Sequence, residues 1–258
     1  MPDIVVDENV SMQQLSTASN YRFSAVGLDS LSGASEYTLA TVVVDVSGSV
    51  SSYRKQLEDC LKTILKSCQS SPRKHNLLFR LVMFSDTVVE VHGFRLLTDI
   101  KEKEYTDAVQ IGGCTSLFDA VQSCVEATAD YGKLLVDQDY SANGVIYVLT
   151  DGANNMGKAT AKTCKKAIDK AKKEEKLESI AVILVGVGYS DNSTVVYLDD
   201  FRKDADITQF VDLTDLFQKT SPEKTLAKLA GYISRSISST SQALASGTST
   251  VASSKLTF

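Results

Sequence analysis

Two carboxylates and three hydroxyls stand at stations from which they can act together. Asp45, Ser47 and Ser49 follow the apolar run Thr41-Val42-Val43-Val44, with Gly48 between the two serines. Thr115 comes after Gly112-Gly113, with Cys114 intervening, and Asp151 ends the run Gly144 to Thr150 just before Gly152. All five side chains offer hard oxygen donors, and only the two acids carry charge. Such a set suits Mg²⁺ or Mn²⁺, which take octahedral oxygen coordination and retain water. A cation held mostly by neutral oxygens stays electrophilic and can accept an anionic oxygen from outside, such as a partner's Asp or Glu. Singly, Asp, Ser and Thr at these stations also cap helices and close turns without a metal. Their combination is what points to a cation.

An acid directly after an apolar strand is also where Mg²⁺-dependent phosphohydrolases and phosphotransferases place a nucleophile, here Asp45. Those of the haloacid-dehalogenase type need a second acid at position 47, where this chain has Ser47, and a lysine at a later strand end, for which no candidate is found. A serine hydrolase needs a histidine, and neither His75 nor His92 falls at an obvious strand-end loop. Two histidines also supply a zinc site poorly. Gly186-Val187-Gly188 is no dinucleotide fingerprint, because Asp191 stands where the third glycine is required. The expectation is a protein that is not an enzyme.

Bringing the five oxygens together requires parallel strands with adjacent ends. Tyr37 to Asp45 reads as a strand buried on both faces, because its apolar residues run together instead of alternating. Tyr53, Leu57, Cys60, Leu61, Ile64, Leu65 and Cys68 then fall at helical spacing, and Ser70-Ser71-Pro72 closes that helix. Strands are expected over Leu77 to Phe84 and Thr87 to Val91, with a mixed loop over 92–111 that tucks Phe94, Leu96, Leu97 and Ile100 against the core. A helix follows Thr115, with Leu117, Ala120, Val121 and Cys124 on one side. Gly144 to Thr150 and Ile180 to Gly188 read as buried strands, Gln209 to Leu213 as an edge strand, and Thr194 to Arg202 as a short helix. Lys158 to Lys176 is expected to be a helix with Ala161, Cys164, Ala167, Ile168 and Ala171 inward. Its lysine-crowded outer face reads as a solvated surface accompanied by Glu174, Glu175 and Glu178, with an anionic-partner patch as the alternative. Leu226, Leu229, Ala230, Ile233 and Ile237 mark a closing helix. Strands alternating with helices imply an α/β fold of three layers, with a mainly parallel central sheet and helices on both faces. Ligands of such sheets sit at the carboxyl ends of strands, where the strand order reverses.

With 258 residues and 43% hydrophobic content, the chain can build a sizeable core. A net charge of −5 gives no sign of nucleic-acid binding. No apolar stretch approaches the ~20 residues of a membrane helix, and Met1 to Ser11, with Asp3, Asp7 and Glu8, does not read as a secretory signal. The five cysteines, an odd number without close pairing, read as buried free thiols, and a reducing compartment follows.

Asp45-Val46-Ser47-Gly48-Ser49, Thr115 after its glycine pair, and Asp151 in Leu149-Thr150-Asp151-Gly152 together resemble the metal-ion-dependent adhesion site of the von Willebrand factor A family. The resemblance covers about Tyr37 to Ile237 and implies a Rossmann-like fold of the intracellular type. It implies that Ser47, Ser49 and Thr115 touch the metal directly, that Asp45 and Asp151 act partly through water, and that a partner's acid takes the remaining position. Cys114, where some members have Gly-Gly-Thr contiguous, leaves Ser116 as an alternative donor. The domain is expected over residues 37–238. An N-terminal arm, partly ordered, is expected over 1–36, where Ile4-Val5-Val6 and Phe23-Ser24-Ala25-Val26 pack as an arm or edge strand, and a disordered Ser/Thr-rich tail over 239–258. The function implied is Mg²⁺-dependent protein binding in the cytoplasm, with an AAA-type ATPase or a larger assembly among the partners and neither nucleic acid nor membrane. The alternatives are a structural component of an assembly with the same fold and the phosphohydrolase with Asp45 as nucleophile.

Overall fold

The computed structural model describes residues 11–31, 33–174, 177–188 and 192–246. In chain order the strands are β1 (Met12–Ser16), β2 (Arg22–Val26), β3 (Glu36–Asp45), β4 (Leu77–Phe84), β5 (Val88–Leu96), β6 (Ser141–Thr150), β7 (Ser179–Gly186) and β8 (Gln209–Asp212). The helices are α1 (Arg54–Gln69), α2 (Leu117–Val136), α3 (Ala161–Lys173), α4 (Asn192–Asp204), α5 (Thr214–Lys219) and α6 (Pro222–Ala245). The strands form a single sheet in the order β1-β2-β5-β4-β3-β6-β7-β8. From β4 through β3, β6 and β7 to β8 the neighbours are parallel. Antiparallel β5 and the β1–β2 hairpin extend the other side. This is the mainly parallel α/β sheet that the alternation of strands and helices predicts.

The central strands are apolar throughout because both faces are covered. Val42 and Val44 pack with α1 and α6, whereas Leu39 and Val43 pack with α2 on the opposite side, where α3 and α4 also lie. In α1 the buried positions Leu57, Cys60, Leu61, Ile64, Leu65 and Cys68 recur at three- and four-residue spacing, which makes one stripe facing the sheet and α6. Helix α6 starts on Ser221, whose hydroxyl caps the Lys224 N–H, followed by Pro222 at the position where a missing N–H costs nothing.

Several boundaries depart from the sequence expectations. Strand β5 runs on from Val91 to Leu96 where a loop was expected, and it buries His92, Gly93 and Phe94. Helix α3 begins at Ala161 rather than Lys158, because Thr160 supplies the cap to Thr163. Helix α6 continues through Ser239 and Thr240 to Ala245, so the start of the expected tail is helical. Ile4-Val5-Val6, Lys176 and residues 247–258 lie outside the described residues.

The stretch preceding β3 supplies two strands of the sheet, with Phe23, Ala25 and Val26 buried. Strand β2 approaches β5 so closely that a Cβ on Gly93 would stand 1.9 Å from the Ser24 carbonyl oxygen. Arg80, fully buried, ties this hairpin down: Nε donates to Glu90 (2.7 Å) and Nη2 to the Tyr21 hydroxyl (2.9 Å). Its guanidinium lies 5.5–5.8 Å from the ring centroids of Tyr21, Phe23 and Phe94.

His92 is likewise buried. Its Nε2 is 2.9 Å from the Tyr105 hydroxyl and its Nδ1 is 2.9 Å from the Gly93 carbonyl, so a neutral ring with its hydrogen on Nδ1 satisfies both contacts. Burial pushes the imidazole pKa down to about 4. Unfolded His titrates near 6.5, so the unfolded chain binds the extra proton first. The contribution is complete above about pH 6.5 and is lost as pH falls toward 4, an effect of about 3 kcal/mol. Urea unfolding at neutral pH and near pH 4 should show the acid-side loss shrinking by about that amount in His92→Gln. An equal loss in both proteins would contradict the neutral buried ring.

Candidate metal centre

Strands β3 and β6 lie side by side and parallel, with Val44 opposite Leu149. Asp45 at the end of β3 and Asp151 just past the end of β6 are therefore delivered to one rim, at the position where the strand order reverses. Asp45 is 1% exposed; its Oδ1 accepts the Ser47 N–H (2.9 Å) and its Oδ2 accepts the Thr150 hydroxyl (2.7 Å). The Ser47 and Ser49 hydroxyls are 3.1 Å apart, and Ser49 Oγ donates to Asp151 Oδ1 at 2.7 Å. Four of the five sequence-derived residues thus form one hydrogen-bonded chain.

Thr115 reaches the same rim from a separate loop. A Cβ on Gly152 would stand 3.8 Å from Thr115 Oγ1, which sets the hydroxyl beside the residue following Asp151. The Gly48 N–H donates to the Gly113 carbonyl (3.3 Å) and the Gly112 N–H to the Val46 carbonyl (2.9 Å), docking the two loops together. Cys114 is half-buried beside them as a free thiol. Ser116, the alternative donor, is fully buried, and its hydroxyl has no hydrogen-bond partner among the described residues.

Beneath the two acids lies an apolar floor that includes Val44, Leu57, Leu149, Val187 and Leu226. Burial accordingly pushes the Asp45 carboxyl up to about 6, against the hydrogen bonds from Ser47 and Thr150, and raises Asp151 as well. Tyr53 lines the same recess as the two acids. No lysine or arginine is paired with either acid among the described residues.

The residues present fit a small divalent cation. Two desolvated carboxylates without a positive partner are costly to ionise, and a cation would relieve that cost. The described residues contain no grouping of three or more His, Cys, Asp and Glu. The donors are hydroxyls in the majority, which suits Mg²⁺ or Mn²⁺ over a soft, thiolate-seeking metal. Ser47, Ser49 and Thr115 with Asp45 and Asp151 are the residues that would hold it.

Among the groups that hold Thr115 in place, Asp86 is the one that sequence reading overlooked. Asp86, in the turn between β4 and β5, accepts the Cys114 N–H at 2.6 Å. Gly113 has φ +79, and a Cβ there would come within 2.5 Å of Asp86 Oδ2, so only glycine lets this carboxylate approach. Asn155 Oδ1 accepts the Thr115 N–H (2.7 Å), and the Asn155 and Met156 N–H groups donate to the Thr115 carbonyl (3.0 and 3.2 Å). Asn154 Oδ1 accepts the Phe118 N–H in the first turn of α2 (3.0 Å). Asn154 and Asn155, which the sequence leaves open between shaping the rim and forming a turn, brace the Thr115 loop and the start of α2. Asp86 shows in the sequence only as a turn acid. Asp86→Ala should cost about 1.5–3 kcal/mol in urea unfolding, the value of a hydrogen bond to a charged acceptor. A change within error would mean that the Thr115 loop does not depend on this carboxylate.

A family model described as von Willebrand factor type A domain matches residues 41–219. No curated protein matches the chain. Among solved structures, a mutant of the PilB minor pilin from Streptococcus sanguinis is similar with TM-score 0.58 at 14% identity, over 88% of this chain and 66% of that one. The pilus adhesin SpaC from Lactobacillus rhamnosus GG is similar with TM-score 0.55 at 12% identity, over 79% of this chain and 31% of that one. This chain therefore spans just under two thirds of the pilin and about a third of the adhesin. At these identities the likeness is one of fold. No helix among the described residues is long and apolar enough to cross a membrane.

Proposed function

This chain belongs to the von Willebrand factor type A domain family, and from that membership we propose that it is a Mg²⁺-dependent protein-binding module that grips an acidic side chain of its partner. The observation that carries this reading is the meeting of two desolvated carboxylates and their serine hydroxyls at adjacent strand ends, with no protein cation among the described residues to balance them. When bound, Mg²⁺ (or Mn²⁺) supplies an electrophilic position for a partner's Asp or Glu. Ser47, Ser49 and Thr115 offer neutral oxygens that leave that character intact, while Asp45 and Asp151 balance the charge. Thr150 orients Asp45, and Asn155 with Asp86 fixes the loop that presents Thr115.

The module is non-enzymatic in this reading. Ser47 stands where a phosphoaspartate enzyme of the haloacid-dehalogenase type needs a second acid, and His92 is sealed in β5 against Tyr105, away from the rim. A cytoplasmic location is proposed on the five free cysteines, four of them buried, which suit a reducing compartment. An AAA-type ATPase or a larger assembly is the proposed kind of partner. The same fold in a minor pilin and a pilus adhesin supports assembly as a use of this architecture.

Affinity capture from lysate with Mg²⁺, with EDTA, and with Asp45→Ala or Ser47→Ala tests the reading. The expected result is a set of partners retained only by the wild-type protein in Mg²⁺. Identical captures under all conditions would contradict it, and aryl-phosphate turnover lost in Asp45→Asn would favour the phosphohydrolase instead.

A further inference from the structure

The loop that follows β6 is joined to the start of α2 by a run of hydrogen bonds. At one end Asn155 Oδ1 accepts the Thr115 N–H (2.7 Å), and the Thr115 carbonyl accepts the N–H groups of Asn155 and Met156 (3.0 and 3.2 Å). Next along, Asn154 Oδ1 accepts the Phe118 N–H (3.0 Å). At the far end Asp119 Oδ1 accepts the Ala159 N–H (2.6 Å), and the Lys158 N–H is shared between both oxygens of Asp119 (3.1 and 3.2 Å). Asp151 opens this loop and Thr115 leads into α2, so the seam joins the segments that carry two of the five candidate ligands.

Asp119 departs from the usual role of an acid at its station. It is the third residue of α2, a position from which a carboxylate commonly turns back to the N–H of the cap residue. Here the cap residue is Ser116, whose N–H donates to the Ser85 carbonyl (2.8 Å), and Asp119 reaches across to the other loop. Gly157 admits it: φ there is +104, and a Cβ would stand 2.5 Å from Asp119 Oδ2. The arrangement repeats that of Asp86 and Gly113. In both, a glycine with positive φ lets a carboxylate lie against the backbone. The carboxylate then accepts the N–H of the next residue, Cys114 in one case and Lys158 in the other. Asp86 fixes the Thr115 loop from the turn after β4, and Asp119 fixes the loop after β6 against it.

We propose that Asp119 is a positioning residue for the metal centre. With Gly157 it anchors the far end of the seam, so that Asn155 holds Thr115 at the rim beside Asp151 in the metal-free chain. The inference rests on the proposed function for the cation; the seam itself is present without one. A donor already in place spares the cation the cost of ordering a loop, which raises affinity without adding a ligand. Asp119 stands outside the set of five donors and acts on Thr115 through the loop.

Mn²⁺ binding to the full chain by calorimetry, with hydrogen exchange of the metal-free protein, tests this. Asp119→Ala should weaken Mn²⁺ binding about tenfold, the low end for residues that orient a metal's ligands. It should also speed metal-free exchange over residues 113–118 and 151–160. Asp119→Asn, which keeps an oxygen acceptor, should recover most of the affinity. Gly157→Ala, which displaces the carboxylate, should weaken binding as Asp119→Ala does, and the two combined should be no worse than either. In a Thr115→Ala background Asp119→Ala should cost about twofold or less, because the donor it positions is gone. Equal Mn²⁺ binding by Asp119→Ala and wild type, even with faster exchange, would make the seam structural only and overturn the proposal. An undiminished tenfold loss in the Thr115→Ala background would overturn it too. No Mn²⁺ binding by the wild type would remove the metal reading and this inference with it, an outcome distinct from wild-type binding that Asp119→Ala leaves intact.

Discussion

Arg80→Ala should destabilise the fold by about 3–5 kcal/mol, the range for removing one partner of a buried ion pair. Arg80 is fully buried, and Glu90, its partner at 2.7 Å, is 15% exposed. Glu90 also accepts the Ser24 N–H (2.8 Å), so one carboxylate joins β4 and β5 to β2. Without the guanidinium, Glu90 is left as an unpaired acid, the Tyr21 hydroxyl loses a donor, and the rings of Tyr21, Phe23 and Phe94 face a cavity. Arg80→Met combined with Glu90→Gln should cost less than Arg80→Met alone, because the stranded charge goes with its partner. The check is urea unfolding with hydrogen exchange over β1 and β2. A loss below about 1 kcal/mol, typical of an exposed pair, would mean that the hairpin is held otherwise.

Asp45→Asn should act in opposite senses on the two states of the protein. In the metal-free chain the ionised Asp45 carboxylate carries a burial cost, expressed in its pKa of about 6 against an ordinary value near 3.8. The folded state therefore binds the proton more tightly, and this group's cost is complete above about pH 6 and fades as pH falls toward 3.8. Removing the charge should raise metal-free stability at neutral pH by about 1–2 kcal/mol, less than the full shift because the Thr150 hydroxyl must reorient. Any stabilisation by Mg²⁺ should vanish with it, since a ligand that binds only the folded state stabilises in proportion to its affinity. Thermal melts with and without Mg²⁺ report both. Loss of metal-free stability with an intact Mg²⁺ response would reverse the assignment of Asp45.

The parallel core of the fold was legible because β3, β4, β6 and β7 are buried on both faces and read as unbroken apolar runs. The stripe of α1 was equally plain at Leu57, Leu61, Ile64 and Cys68. Strand β1 was not, because Met-Gln-Gln-Leu-Ser alternates too weakly at a sheet edge to announce itself. The second half of β5 was hidden by His92, Gly93 and Arg95, residues that suit a loop until Tyr105, Ser24 and Glu104, respectively, give each a reason. At the site, the five oxygen donors carried a signal through residue type and strand-end position. Asp86 carried none, since it acts through a backbone group of a loop distant in sequence, which only the fold brings to it.

Whether these oxygens hold a cation is decided most directly by titrating Mg²⁺ into the purified wild-type chain by calorimetry, beside Asp45→Asn and Thr115→Ala. The expected result is saturable binding of a single cation by the wild type, lost in Asp45→Asn and weakened in Thr115→Ala, with all three proteins folded. No saturable binding to the wild type, or equal binding by all three, would contradict the metal centre.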